Sequence, residues 1–134
     1  TKLSASLRCT VSNCSRPAQS LLLKAMEDPH YMDEKSSFEK ELKERYFRIK
    51  DILKKNEGNA ELQPLPFNSG YFMSFLMKTG SAEALRKKLL DEKGIGTISI
   101  QDKYLRVAFS AVDTENIEDL FIQIYKAAGE LSAE

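Results

Sequence analysis

The stretch Tyr104-Leu105-Arg106-Val107-Ala108-Phe109 decides how this chain is read. Strict alternation puts Leu105, Val107 and Phe109 on one face of a strand and brings Arg106 out on the other, between Tyr104 and Ala108. The apolar face needs a covering layer, and the single guanidinium is thereby held at a fixed place on a rigid element. Just upstream, Ile95 to Ile100 alternates weakly and pairs with this strand across Gln101-Asp102-Lys103, which makes a hairpin. Downstream, Asp113 or Thr114 opens a helix with Glu115, Glu118 and Asp119 in its first turns, where the helix dipole favours acids. Ile117, Leu120, Phe121, Ile124 and Ala128 form its apolar stripe.

Ser81 caps a helix that turns Ala82, Leu85 and Leu89 inward and Arg86 to Lys88 outward, with Gly94 as its C-terminal glycine. Before it, residues 70–77 read as a strand. Tyr71, Met73, Phe75 and Met77 share one face; Phe72, Ser74 and Leu76 share the other. Both faces are mostly apolar, so this strand is central and covered on both sides, or lines a second interface. Residues 62–67 hold Pro64 and Pro66 and so form an edge strand or an extended connector.

A long helix precedes them, from Tyr31 to Asn56. Phe38, Leu42, Tyr46, Ile49 and Leu53 recur at spacings of four, four, three and four, one stripe of an α-helix. Glu39–Lys43, Glu41–Arg45 and Glu44–Arg48 are i, i+4 pairs in the favourable order, worth about 0.2–0.5 kcal/mol each, and the charge run reads as a solvated face. Gly58 stops the helix. Residues 3–14 mix β-branched and small polar residues and read as a strand or extended arm. Ser15 caps a helix with Pro17 in its first turn; Leu21, Leu22, Leu23, Ala25 and Met26 make it apolar nearly all round, and Asp28-Pro29 ends it. The fold class is α+β: a small antiparallel or mixed sheet covered by helices, with one long N-terminal helix.

Composition narrows the function. The chain has 134 residues, with Lys plus Arg and Asp plus Glu at 20 each, so its formal net charge is zero and no long-range field draws nucleic acid or an anionic membrane. No apolar run reaches the roughly 20 residues of a membrane span, and nothing resembles a signal peptide. The reading is a soluble, cytoplasmic protein. Cys9, Cys14 and His30 do not supply the four close ligands of a structural zinc site. A local disulfide and reduced thiols both fit; buried reduced thiols are the expectation.

Several of these segments, taken in order, resemble one family. Asn68-Ser69-Gly70-Tyr71-Phe72, the helix ending at Gly94 before a short hairpin, Leu105-Arg106-Val107-Ala108-Phe109-Ser110 and the closing amphipathic helix resemble the C-terminal small domain of pyridoxal-phosphate-dependent aminotransferases of the aspartate aminotransferase type, fold type I. Leu7-Arg8-Cys9-Thr10-Val11-Ser12-Asn13, Pro17-Ala18-Gln19 and Asp28-Pro29 resemble the segment after the family's lysine-bearing loop. The resemblance implies that residues 1–28 are the tail end of the large domain and residues 29–134 the small domain. It implies that Arg106 holds the substrate's α-carboxylate, and that Arg8 reaches into the partner subunit of a homodimer to bind a distal carboxylate; an exposed arginine on an arm is the other reading of Arg8. Phe72 would wall the substrate and Gly70 would permit close backbone approach.

The same resemblance places the lysine that bonds pyridoxal 5'-phosphate upstream of Thr1, with the phosphate-binding residues. A chain opening on Thr then reads as a piece of a longer enzyme, inactive alone, whose parent moves an amino group between an amino acid, aspartate or glutamate by the Arg8 reading, and a 2-oxo acid. No catalytic residue is assigned within the piece. A lone histidine with no glycine-flanked nucleophile builds no triad, and Gly94-Ile95-Gly96 lacks the rest of a phosphate loop. The competing reading is a stand-alone α+β interaction or ligand-binding domain without catalysis.

Overall fold

A computed structural model describes residues 2–10, 15–68 and 70–133. The chain divides into two compact units, Thr1–Phe38 and Glu39–Glu134.

In the first unit, α1 spans Lys2–Thr10 and α2 spans Arg16–Met26. The expected strand or arm over residues 3–14 is therefore a helix as far as Thr10, and residues 11–14 lie outside the described part. Leu3, Ala5 and Leu7 are good helix formers, and in this stretch they outweigh the serines that favour caps and turns. Pro17 sits in the first turn of α2 as expected, but Ser15 caps it by extended backbone without a side-chain hydrogen bond. Asp28 Oδ1 accepts the His30 N–H at 2.8 Å, turning the chain into α3. Cys9 is exposed, against the expectation of a buried thiol.

Helix α3 runs Tyr31–Lys55. From Glu39 onward it belongs to the second unit, where Ile49, Ile52 and Leu53 enter the core. The stripe read from the sequence is buried only there; Phe38 is exposed.

The second unit is built on a four-stranded antiparallel sheet in the order β1-β2-β4-β3: β1 Leu62–Pro64, β2 Met73–Met77, β3 Ile98–Ile100 and β4 Tyr104–Val107. Register sets Met73 opposite Val107, Phe75 opposite Leu105 and Leu62 opposite Met77, and all six side chains are buried on one face. Helices α4 (Ala82–Lys93) and α5 (Ile117–Ala133), with the end of α3, supply Leu85, Leu89, Ile117, Phe121 and Ile124 to the same core. The Phe75 ring meets Phe121 edge-on at 6.1 Å and Tyr125 at 5.6 Å.

The ends of α4 follow its sequence signals. Ser81 Oγ accepts the Ala84 N–H at 3.1 Å, and Gly94 closes the helix in the left-handed region at φ +66°, which a Cβ would strain. The hairpin turn comes back to this N-terminus: Asp102 Oδ1 accepts from Ser81 Oγ at 2.5 Å and from Glu83 N–H at 2.9 Å. Edge strand β1 offers little to an incoming strand, because Asn59 Oδ1 takes the Leu62 N–H at 2.7 Å and Pro64 has none. No described helix is long and apolar enough to cross a membrane.

Candidate carboxylate-binding site

The face of the sheet opposite the core carries Ser74, Leu76, Ile98, Ile100, Tyr104 and Arg106, by the register that pairs Ser74 and Ile98 with Arg106 and Leu76 and Ile100 with Tyr104. This face is open: Ile98 is 46% exposed and Ile100 is exposed as well. Strand β2 is thus central within the sheet and fully covered on one face only, with Ser74 and Leu76 half-buried on the other.

Arg106 stands in the middle of that face, flanked by β2 and β3 and itself half-buried. Its guanidinium carbon lies 4.7 Å from the centre of the Phe72 ring, a cation–π stack. Its Nε is buried and finds no hydrogen-bond partner among the described residues. An orphaned donor on a cation stacked against an aromatic ring is an arrangement that an oxyanion would complete.

Phe72 lies just before β2 rather than within it, so it reaches Arg106 from a bend. Gly70 makes that bend at φ +96°, and a Cβ built on it would meet nothing within 4 Å. Here the glycine answers to the left-handed backbone. Arg8 occupies the last turn of α1 in the first unit, exposed, and the Arg106–Phe72 pair belongs to the second. The strand that carries Arg106 ends at Val107, earlier than the alternation suggests, because Phe109 enters the core from a short 3-10 turn, Phe109–Ala111.

Arg45 is the residue that charge-pattern reading placed wrongly. Far from sitting on a solvated face, it is 6% exposed, donating to Glu41 Oε1, to the Ser110 carbonyl and, at 3.4 Å, to Thr114 Oγ1. The signal was present: Leu42, Arg45, Ile49 and Ile52 follow one another at helical spacing, so Arg45 shares the buried side. The Glu44–Arg48 pair forms as expected on the exposed side at 3.3 Å.

A groove of about 840 Å³ lies elsewhere, between the end of α3 and β1, with Lys50, Lys54, Pro64, Pro66 and Lys78 among its walls. Among the described residues no cluster of His, Cys, Asp or Glu could hold a metal.

The model of the family "aminotransferase class I and II" matches residues 4–124. The chain belongs to that family. Its α+β fold is one found in fold type I aminotransferases. LysN, an α-aminoadipate aminotransferase from Thermus thermophilus solved with N-(5'-phosphopyridoxyl)-L-leucine, superimposes with a TM-score of 0.72 at 16% identity, over 96% of this chain and 35% of its own. An aminotransferase from Anaerococcus prevotii gives a TM-score of 0.63 at 27% identity, over 95% of this chain and 29% of its own. No curated protein matches the sequence. This chain thus spans about a third of the length of these two solved relatives.

The residues around Arg106 do not by themselves fit pyridoxal phosphate. Ser74, Ile98 and the Phe72 ring include neither a lysine amine nor a cradle for a phosphate.

Proposed function

We propose that this chain is the C-terminal part of a pyridoxal-phosphate-dependent aminotransferase in which Arg106 binds the α-carboxylate of the substrate. The observation that carries this reading is the Arg106 guanidinium itself, on a strand at the centre of an open sheet face, stacked on Phe72 and with Nε unpartnered among the described residues. A planar guanidinium can give a carboxylate two parallel hydrogen bonds, a charge-assisted contact worth roughly 1.5–3 kcal/mol. Anchoring that end of an amino acid sets the direction in which its Cα–H bond faces the cofactor, which supplies an electron sink when bound. Residues 1–28 then end the large domain and residues 29–134 make the small one. Phe72 walls the bound amino acid beside Gly70. Arg8 meets the distal carboxylate of a dicarboxylic substrate across a homodimer interface, which makes aspartate or glutamate the substrate class. The lysine that bonds the cofactor belongs to the upstream part of the full-length enzyme, so this chain by itself is inactive.

The test is to mix the full-length gene product with pyridoxal phosphate and then with aspartate, following absorbance and 2-oxo acid formation, beside the isolated chain. A cofactor band that responds to aspartate in the full-length protein alone supports the proposal. Turnover by the isolated chain, or no cofactor band in either, would overturn it and favour a binding domain.

A further inference from the structure

Arg45 is a buried cation that the carboxylate site does not touch, and long cations are rarely buried without a task. Its bonds to the Ser110 carbonyl and to Thr114 Oγ1 tie α3 to the chain that leaves β4. Ser110 in turn donates its N–H to the Tyr71 carbonyl at 3.4 Å. The next residue is Phe72, whose ring lies over Arg106. A hydrogen-bonded line therefore runs from Arg45 through Ser110 to the main chain beside the stacking ring. Phe72 needs such support, because it precedes β2 and no ladder bond of the sheet fixes it, while Gly70 turns the chain sharply just before it.

We infer that Arg45 is a positioning residue for Arg106: by holding Ser110 it holds the Tyr71–Phe72 segment, and so keeps the Phe72 ring stacked on the guanidinium. The ring restricts where the guanidinium can move, which lowers the ordering cost of binding a carboxylate. The inference rests on Arg106 being the carboxylate anchor. Arg45 touches no substrate.

The experiment has two readouts. In this chain, NMR follows the Arg106 δ-methylene protons, which an aromatic ring at this distance displaces upfield. In the full-length enzyme, KM and kcat for the amino acid are measured. Phe72→Leu is expected to abolish the displacement. Arg45→Gln is expected to remove most of it while the core methyls of Leu89 and Ile124 keep their shifts, and to raise KM about two- to five-fold at unchanged kcat, the size of a partly exposed cation–π contact. Arg45→Lys, whose single ammonium cannot hold Ser110 and Thr114 together, is expected to fall between wild type and Arg45→Gln. Wild-type displacement and KM in Arg45→Gln would overturn the inference. If that variant does not fold, Arg45→Lys decides: an intermediate displacement supports the inference and a wild-type one overturns it. An Arg106→Ala enzyme with unchanged KM would instead sink the carboxylate reading, leaving the NMR result to say whether Arg45 holds the ring.

Discussion

Replacing Phe121 by alanine tests the packing that supports the sheet behind Arg106. Phe121 is fully buried on α5, and its ring meets that of Phe75, also fully buried, at 6.1 Å and 62°. Phe75 lies opposite Leu105 in the register, the residue just before Arg106. Removing the ring leaves a cavity against β2 and breaks an edge-on aromatic pair, and a buried Phe→Ala change costs about 3–5 kcal/mol with that pair included. A domain of about a hundred residues carries roughly 5–15 kcal/mol of stability, so the loss is a large fraction of the total. Urea unfolding of this chain, followed by circular dichroism, should show the unfolding free energy falling by that amount, seen as a lower midpoint at unchanged slope. Phe121→Leu, which keeps most of the volume, should cost markedly less. A loss below about 1.5 kcal/mol for Phe121→Ala at constant slope would refute the account of this core.

Two further outcomes follow from the polar groups. The Asp102 carboxyl is held below its ordinary value of 3.8 by the Ser81 hydroxyl first and then by the Glu83 N–H, and Glu83 is likewise held low by its hydrogen bond from Arg86. With folded-state values depressed, these groups give their full stabilisation above the unfolded values and lose it as pH falls through the folded ones. Unfolding midpoints measured on going into acid should drop below about pH 4, and less steeply for Asp102→Asn. The Tyr125 hydroxyl is buried without a partner among the described residues, and burial pushes its pKa up to about 12. Stability should therefore weaken as pH rises from 10 towards 12, and Tyr125→Phe should leave the urea midpoint at neutral pH equal or higher; a loss above about 1 kcal/mol would mean the hydroxyl has a partner.

Much of the second unit was legible because its signals are local. Ser81 and Gly94 bracket α4 within a residue, prolines mark β1 as an edge, and the period-two pattern of Leu105 and Val107 puts them inside and Arg106 outside. What could not be read depends on contacts distant in sequence. The stack of Phe72 on Arg106 joins the approach to β2 with β4, and Arg45 is held by residues 65 and 69 positions away. Phe109 obeys the alternation but is buried by a turn that ends the strand early, which periodicity alone cannot report. The first ten residues failed for another reason: intrinsic propensity is a weak guide when serines and threonines suit helix ends, turns and strands alike.

The carboxylate role of Arg106 is tested most directly by measuring KM and kcat/KM of the full-length Arg106→Ala enzyme with its amino acid substrate, once cofactor absorbance shows that the protein is loaded as in wild type. Loss of a charge-assisted pair of hydrogen bonds worth roughly 1.5–3 kcal/mol predicts that kcat/KM falls by about ten- to a hundred-fold, with KM rising. A loaded enzyme whose KM and kcat/KM match wild type would show that another group holds the carboxylate.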